Sequence, residues 1–214
     1  MSETAAEIAS EKKSIRRLGI MGGTFDPIHY GHLVTAEAAR TRFHLDRVVF
    51  VPSGRPPHKQ PAATDTTDRL FMTQMAIVTN PGFDISDTEI RREGYSYSID
   101  TVREFIRLYG PETELFFITG ADAILQIATW RNADELVHLC SFIAASRPGF
   151  DLAELKRLPE TWQQRISLFE IPALAISSTD IRRRVRQGDS IKYLLPEAVE
   201  HYILRRGLYR EEGR

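Results

Sequence analysis

One stretch near the start of the chain decides the fold: Gly22-Gly23-Thr24-Phe25-Asp26-Pro27-Ile28-His29-Tyr30-Gly31-His32. It follows a short apolar run, Leu18 to Met21, and leads directly into a segment of helical periodicity. Paired glycines let backbone amides approach an anion, and a helix start adds unpaired N–H groups and the positive end of its dipole. The stretch therefore predicts a strand, an anion-binding turn and a helix in succession.

Short β-prone runs and helical stretches alternate after this point, which is the pattern of βαβ units around a parallel sheet. The predicted strands are Leu18 to Met21, Arg47 to Val51, Leu115 to Thr119, Ser141 to Ala145 and Ser167 to Ile171. The predicted helices are Gly31 to Phe43, Thr67 to Val78, Ser98 to Leu108, Ala123 to Ile127, Asp134 to Leu139, Ser178 to Arg186 and Pro196 to Arg206. We therefore predict an α/β fold, a Rossmann-like doubly wound parallel sheet with C-terminal helices. Ligands of such sheets bind beyond the carboxyl ends of the strands.

Composition and charge narrow the class of protein. The 214 residues suit one domain, which we place at residues 15–214, after a polar segment over residues 1–14 that is predicted to be a disordered tail. A net charge of -1 argues against a nucleic-acid partner, and apolar runs of only strand length argue against a membrane span. Cys140 is the single cysteine, which excludes an intrachain disulfide and a CxxC metal site and favours a cytoplasmic location.

His29 and His32 are three residues apart, so on the first turn of a helix they face the same side, toward any phosphate bound there. The same spacing suits a metal, but neither a third ligand nor an HExxH pattern accompanies it, and no metal site is predicted. A dinucleotide fingerprint needs GxGxxG and an acidic residue after the second strand, where Pro52-Ser53-Gly54 stands instead. GxxxxGK[ST] is absent, which argues against a P-loop, and a purely structural glycine turn leaves both histidines unexplained.

Two motifs resemble the signatures of one enzyme superfamily. Gly23 to His32 resembles the first signature of the HxGH nucleotidyltransferases, which share their site geometry with class I aminoacyl-tRNA synthetases. Ile176-Ser177-Ser178-Thr179-Asp180-Ile181-Arg182 resembles the second signature, in the expected order and near the other end of the chain. Two ordered matches are far less frequent by chance than either alone.

Four further segments are similar to bacterial nicotinate-mononucleotide adenylyltransferases. They are Pro52-Ser53-Gly54-Arg55-Pro56-Pro57-His58-Lys59, Tyr95-Ser96-Tyr97-Ser98-Ile99-Asp100-Thr101, Phe117-Ile118-Thr119-Gly120-Ala121-Asp122 and Trp130. The resemblance runs from about Leu18 to Tyr202. It implies a nucleotidyltransferase-type sheet, ATP and nicotinate mononucleotide as substrates, Mg²⁺ bound with ATP, and the products deamido-NAD and pyrophosphate in NAD biosynthesis.

The resemblance also implies roles for individual residues. The catalytic set is His29, His32 and Arg182, which meet the ATP phosphates. The ATP-binding set is Gly22, Gly23, Thr24, Phe25, Gly120, Asp122, Ile176, Ser178 and Thr179. The mononucleotide-binding set is His58, Lys59, Thr101 and Trp130, with the tryptophan stacked on the pyridine ring.

Four of these assignments have a plainer structural alternative. Arg182 could be one of several solvated charges on its helix, and Asp122 could be a helix N-cap. Lys59 could belong to an ordinary surface loop, and Trp130 could be a core or surface tryptophan.

Rival functions remain open at the level of sequence. Nicotinamide mononucleotide, phosphopantetheine or an alcohol phosphate could replace nicotinate mononucleotide, although backbone donors with no acceptor nearby would favour the acid over the amide. A nucleotide-binding module without turnover could dispense with His32 and Arg182, and both are present. A tRNA synthetase fragment should carry a KMSKS loop, which the sequence lacks. A homo-oligomer is compatible with the sequence.

Overall fold

Six parallel strands form a single sheet in a computed structural model that describes residues 15–57, 62–146, 152–172 and 174–210. The strands are β1 (Arg17–Gly23), β2 (Arg47–Pro52), β3 (Phe83–Ile85), β4 (Glu114–Gly120), β5 (Ser141–Ser146) and β6 (Ile166–Glu170). Their order across the sheet is β3-β2-β1-β4-β5-β6. The predicted α/β class and doubly wound parallel sheet are confirmed.

Helices connect the strands and cover both faces of the sheet. They are α1 (Tyr30–Arg42), α2 (Thr66–Ile77), α3 (Thr88–Arg91), α4 (Ser98–Tyr109), α5 (Ala121–Ile124), α6 (Ala133–Leu139), α7 (Glu160–Gln163), α8 (Ser178–Gln187) and α9 (Glu197–Arg206), with 3₁₀ turns at Ile127–Thr129 and Leu152–Arg157. Asp65 caps α2 by accepting a hydrogen bond from the Asp68 amide at 2.7 Å. Gly110 ends α4 with φ 89°, a conformation that glycine adopts without a Cβ penalty.

Two hydrophobic cores lie on opposite faces of the sheet, because alternate residues of each strand point to opposite sides. Val48 and Phe50 of β2 belong to the core beneath α1, α2, α8 and α9. Val49 and Val51 belong to the core beneath α4 and α6. A parallel strand with apolar residues on both faces is buried on both, so the near-continuous apolar runs of the sequence follow from this arrangement.

The order of the strands reverses between β1 and β4. These strands are neighbours, with Met21 opposite Ile118, yet the chain leaves β1 toward β2 on one side and leaves β4 toward β5 on the other. A crevice therefore opens beyond their carboxyl ends, where ligands of doubly wound sheets bind. Gly22 and Gly23 end β1 and Gly120 ends β4, so the glycine stretch that decides the fold opens into this crevice.

All five predicted strands and all seven predicted helices are present, with bounds that differ by at most three residues. The sequence-based prediction missed β3 and the one-turn helices α3 and α7. None of these three exceeds four residues, which is too short for hydrophobic periodicity to register. Residues 1–14, which we predicted to be a tail, lie outside the part of the chain that the structure describes.

No helix in the described ranges combines the length and the apolar character needed to cross a bilayer.

Candidate active site

Two stacked imidazoles mark the start of α1. The ring centroids of His29 and His32 lie 3.8 Å apart with an interplanar angle of 28°. His29 is the N-cap residue and His32 follows on the first turn, so the predicted same-side arrangement is present. A Cβ at Gly31 would come within 2.9 Å of Cε1 and Nδ1 of His29. Glycine is therefore needed between the histidines so that the His29 ring can lie over the first turn.

Hydrogen bonding and burial set the protonation of this pair. The backbone N–H of His29 donates to Nδ1 of His32 at 3.2 Å, which leaves the ring proton of a neutral His32 on Nε2. His29 is only 6% exposed, and burial lowers the pKa of its imidazole from 6.5 to about 4. The Nδ1 atom of His29 has no hydrogen-bond partner among the described residues. Near neutral pH, His29 is therefore an uncharged buried imidazole with an unsatisfied polar atom.

Phe25 supports the histidines from below. Its ring is 2% exposed and lies edge-on to His32, with centroids 5.1 Å apart. Its backbone has φ 49°, an unfavourable value for a bulky residue that is maintained by the packing of the ring. A Cβ at Gly23 would come 2.7 Å from this ring, so the glycine makes room for it. The sequence-based prediction gave Phe25 a backbone contact to ATP, and the structure adds a packing role for the side chain.

The start of α8 is fastened to the loop between β1 and α1. Ser177 caps α8 by accepting from the Asp180 amide at 3.1 Å, and Ser178 Oγ donates to the Pro27 carbonyl at 2.8 Å. Arg182 Nη1 donates to the Asp26 carbonyl at 2.7 Å. The two signature motifs therefore meet in space, and the Arg182 guanidinium lies on the loop that the histidines follow.

A cavity of about 550 Å³ extends from the histidines across the ends of β4 and β5; we call it the histidine cavity. Of the predicted site residues, it is lined by His29, His32, Gly120, Asp122, Ile176, Ser178 and Thr179. A Cβ at Gly120 would meet no atom within 4 Å, so the absence of a side chain leaves the cavity open there. Asp122 is exposed in the first turn of α5, and Gly120 rather than Asp122 is the N-cap.

A second cavity of about 320 Å³, the tryptophan cavity, lies on the other side of Thr119, which lines both. Gly22, Gly23, Thr24 and Trp130 contribute to its walls. The indole of Trp130 packs edge-on against Phe117 and Phe142, with centroid distances of 5.8 and 6.4 Å. Trp130 is therefore half-buried and held from behind, with the cavity in front of it.

Thr101 lies behind the wall of the tryptophan cavity. The residue is fully buried, and its hydroxyl donates to Oε1 of Glu89 at 2.7 Å. Glu89 lines the cavity and is itself only 7% exposed, and burial raises the pKa of its carboxyl group. Thr101 thus reaches the cavity through Glu89 in this structure, which differs from the direct contact that the resemblance implies.

His58 and Lys59 fall between the described ranges, so the structure does not place them. The residues on either side approach the site. Pro56 and Pro57 line the tryptophan cavity. Beyond the gap, the Ala63 amide donates to Asp26 Oδ2 at 2.6 Å.

Sequence reasoning missed two buried residues that organise the loops. Arg69 of α2 is 1% exposed and donates to the Thr24 carbonyl at 2.7 Å and the Gly54 carbonyl at 3.4 Å, which joins the loops after β1 and β2. The Asp26 carboxylate is 4% exposed and accepts from the Tyr209 and Thr64 hydroxyls, each at 2.8 Å. Asp26 stands in the first motif, but spacing alone does not reveal partners so far along the chain.

Comparisons with known proteins agree with this geometry. Residues 20–184 match a family model described as cytidylyltransferase-like. The chain is 63% identical over 199 residues to a probable nicotinate-nucleotide adenylyltransferase of Moorella thermoacetica, with 91% of this chain and 92% of the relative covered. A relative of the same name from Streptomyces coelicolor is 51% identical, with 90% of this chain and 100% of the relative covered.

A solved structure shares the fold at lower sequence identity. It is the nicotinic acid mononucleotide adenylyltransferase of Plasmodium falciparum complexed with NaAD, with a TM-score of 0.75, 24% identity, and coverage of 91% of this chain and 97% of that one. On the family match and the identities above, the chain belongs to the cytidylyltransferase-like family and, within it, to the nicotinate-nucleotide adenylyltransferases.

Proposed function

We propose that this protein transfers the adenylyl group of ATP to nicotinate mononucleotide, releasing pyrophosphate and forming deamido-NAD for NAD biosynthesis. The observation that carries the proposal is the pair of cavities that meet at Thr119. One contains the histidine pair and the other contains the tryptophan. Two nucleotides bound side by side would therefore bring their phosphates together over the loop between β1 and α1. The proposed compartment is the cytoplasm, where ATP is available.

The chemistry requires positioning rather than a general base. A phosphate monoester with a second pKa near 6 is mostly dianionic at neutral pH, so an oxygen of the mononucleotide phosphate can attack the α-phosphorus of ATP directly. The bond from that phosphorus to the bridging oxygen breaks, and pyrophosphate leaves. The protein must hold two anions in line and stabilise the charge that develops between them.

The histidine N–H groups suit that task as directed hydrogen-bond donors. In this proposal His32 directs its Nε2–H toward the α-phosphate, and the His29 imidazole, which lines the same cavity, contributes a second ring to the site. The N-terminus of α1 adds its dipole to the same point. Arg182 clamps the β- and γ-phosphates while it remains bonded to the Asp26 carbonyl, and Ser178 and Thr179 complete the rim.

A divalent cation is expected to accompany ATP, as in nucleotidyltransferases generally, and we propose Mg²⁺. No group of three His, Cys, Asp or Glu side chains in the described ranges is arranged to hold a metal ion. The residues present therefore fit an ion that is held chiefly by phosphate oxygens and water. Asp122 supplies a carboxylate in the wall of the histidine cavity. Such an ion would supply further neutralisation of the phosphate charge.

The start of α4 supports the choice of acid over amide. Tyr97 is the N-cap of this twelve-residue helix but provides no side-chain cap, and both Tyr97 and Ser98 line the tryptophan cavity. The uncapped N–H groups and positive dipole end of α4 suit a carboxylate. An amide would turn its NH₂ group toward donors that it cannot satisfy.

The test is a comparison of kcat/KM for the acid and amide mononucleotides with ATP, followed by pyrophosphate release, with phosphopantetheine as a third acceptor. We expect the acid to be preferred. Trp130→Ala should chiefly raise the KM for the mononucleotide and leave the KM for ATP nearly unchanged. Preference for the amide or for phosphopantetheine would overturn the proposed substrate.

A further inference from the structure

Glu89 is a buried carboxylate that the mechanism above does not use. It lies in the one-turn helix α3, is 7% exposed, and lines the tryptophan cavity. Burial of a carboxylate is unfavourable unless hydrogen-bond donors surround it. The hydrogen-bond donors around Glu89 therefore indicate whether the site holds it as an acceptor of hydrogen bonds.

One hydroxyl group, that of Thr101, donates to Glu89, and the hydroxyl of Ser96 lies close to the same carboxylate. Thr101 Oγ1 donates to Oε1 at 2.7 Å and accepts from Arg92 Nη1 at 3.2 Å. Ser96 Oγ accepts from the backbone amides of Gly54 at 3.1 Å and Arg55 at 3.2 Å. These two amides hold Ser96 on the loop after β2. Thr101 holds Glu89 as an acceptor.

The carboxylate retains capacity for further donors. Two carboxylate oxygens together accept about four hydrogen bonds, and Thr101 supplies one of them. Arg92 lies nearby, but its second nitrogen is committed to Glu104 at 2.6 Å. Because Glu89 lines the tryptophan cavity, a ligand bound there can supply further donors.

We propose that Glu89 binds the ribose of the mononucleotide by accepting hydrogen bonds from its 2′- or 3′-hydroxyl. The inference rests on the proposed function, because it takes the tryptophan cavity as the mononucleotide site. At neutral pH the phosphate and the ring carboxylate of nicotinate mononucleotide are both ionised and present only acceptors. The ribose hydroxyls are then the ligand's donors, and they match what Glu89 lacks.

The backbone also fixes Glu89 in place before any ligand binds. A Cβ at Gly54 would lie 2.3 Å from the Glu89 carbonyl oxygen, so α3 packs directly on the loop after β2. Arg69 holds the Gly54 carbonyl on that same loop. A preorganised acceptor loses little entropy on binding, so its contribution should appear in the affinity for the mononucleotide.

The first test is Glu89→Gln, with Glu93→Gln on the exposed side of the same segment as the matched control. The amide offers one acceptor oxygen instead of two and turns its NH₂ toward a hydroxyl donor. We expect the KM for nicotinate mononucleotide to rise roughly 10- to 100-fold in Glu89→Gln, as for loss of a hydrogen bond to a charged group. The KM for ATP should stay within about twofold, and Glu93→Gln should behave as the wild type.

The decisive measurement uses 2′-deoxy and 3′-deoxy nicotinate mononucleotides with the wild type and with Glu89→Gln. We expect one deoxy substrate to carry a large KM penalty in the wild type and almost none in the variant, because the contact is already lost. Equal penalties in both proteins would overturn the proposal. Absence of any penalty in the wild type would overturn it even if the variant fails to fold.

These outcomes are separate from those that test the proposed function. Wild-type protein that adenylylates the acid mononucleotide supports that function whatever the deoxy substrates show. Wild-type protein that uses neither pyridine mononucleotide would overturn both.

Discussion

At the residue scale, the two histidines of the first signature have different environments although they stack on each other. His29 is buried and electrically neutral, whereas His32 is partly exposed and uses its Nδ1 to accept the His29 amide. The positive character at this point comes from directed N–H groups and the dipole of α1 rather than from two imidazolium ions. The sequence suggested two imidazoles aimed at a phosphate, but only burial and hydrogen bonding reveal their charge.

Substitution of His32 should separate its structural bond from its role toward phosphate. His32→Asn places an oxygen near the position of Nδ1 and can still accept the His29 amide, but it lacks a donor at the position of Nε2. We expect His32→Ala and His32→Asn both to lose roughly 10²- to 10³-fold in kcat, as for removal of a preorganised donor. Pyrophosphate release measures kcat, and thermal unfolding checks the fold. Recovery of activity in His32→Asn alone would show that His32 acts only through the helix start.

The limits of sequence reasoning at this scale are clear from Thr101 and Glu89. The segment that contains Thr101 leads to the wall of the tryptophan cavity, but the Thr101 side chain itself is buried and donates to Glu89. Glu89 stands in a one-turn helix with no motif around it, and only the fold brings it to the cavity wall. A contact between side chains twelve residues apart in an irregular segment leaves no periodic trace in the sequence.

At the scale of elements, α8 is joined to the loop between β1 and α1 by two hydrogen bonds, one from a neutral hydroxyl and one from a charged guanidinium. Ser178 donates to the Pro27 carbonyl, and Arg182 donates to the Asp26 carbonyl. In the proposed function the charge of Arg182 also binds a phosphate, whereas the Ser178 hydroxyl only anchors the loop. The two residues can therefore distinguish anchoring of α8 from binding of ATP.

We expect Arg182→Ala to raise the KM for ATP and to lower kcat by roughly 10²-fold or more, because the clamp on the phosphates is lost. Ser178→Ala removes the other anchoring bond and should cost less than about tenfold, since a single neutral hydrogen bond contributes about 1 kcal/mol. Arg186→Ala, on an exposed position of the same helix, is the control for net charge. Equal losses in Arg182→Ala and Ser178→Ala would assign Arg182 to anchoring alone.

Long elements were predictable from the sequence because their signals are strong. The apolar run of β2 and the periodicity of α4 extend over enough residues to identify each element. Strand β3 has three residues and lies at the edge of the sheet, where only Phe83 is buried, so its pattern is no different from that of a loop. The order of the strands follows from pairing between distant segments, which no local pattern in the sequence records.

At the scale of the whole molecule, the buried His29 makes folding depend on pH. Its pKa is about 4 in the folded protein and near 6.5 in an unfolded chain, so between these values the unfolded state holds a proton that the folded state lacks. The free energy of unfolding therefore falls as the pH drops from 6.5 toward 4. Between pH 7.5 and pH 5 the contribution is about 2 kcal/mol.

Urea unfolding at these two pH values should show that His29→Asn loses this part of the dependence. His201→Gln, which alters an exposed histidine of α9, should retain the dependence of the wild type. The comparison is between variants because other groups also titrate in this range. A wild-type slope in His29→Asn would show that His29 is not the buried group responsible.

The bond from Tyr209 to Asp26 has a consequence for the order in which the protein matures during synthesis. The loop that carries Asp26 is translated directly after β1. Its partner Tyr209 is translated only after strands β1 to β6 and helices α8 and α9. A ribosome-bound chain that has finished the sheet still lacks one donor to a carboxylate that will be buried. The loop that carries Asp26 is made early and therefore gains this donor only after Tyr209 has been translated.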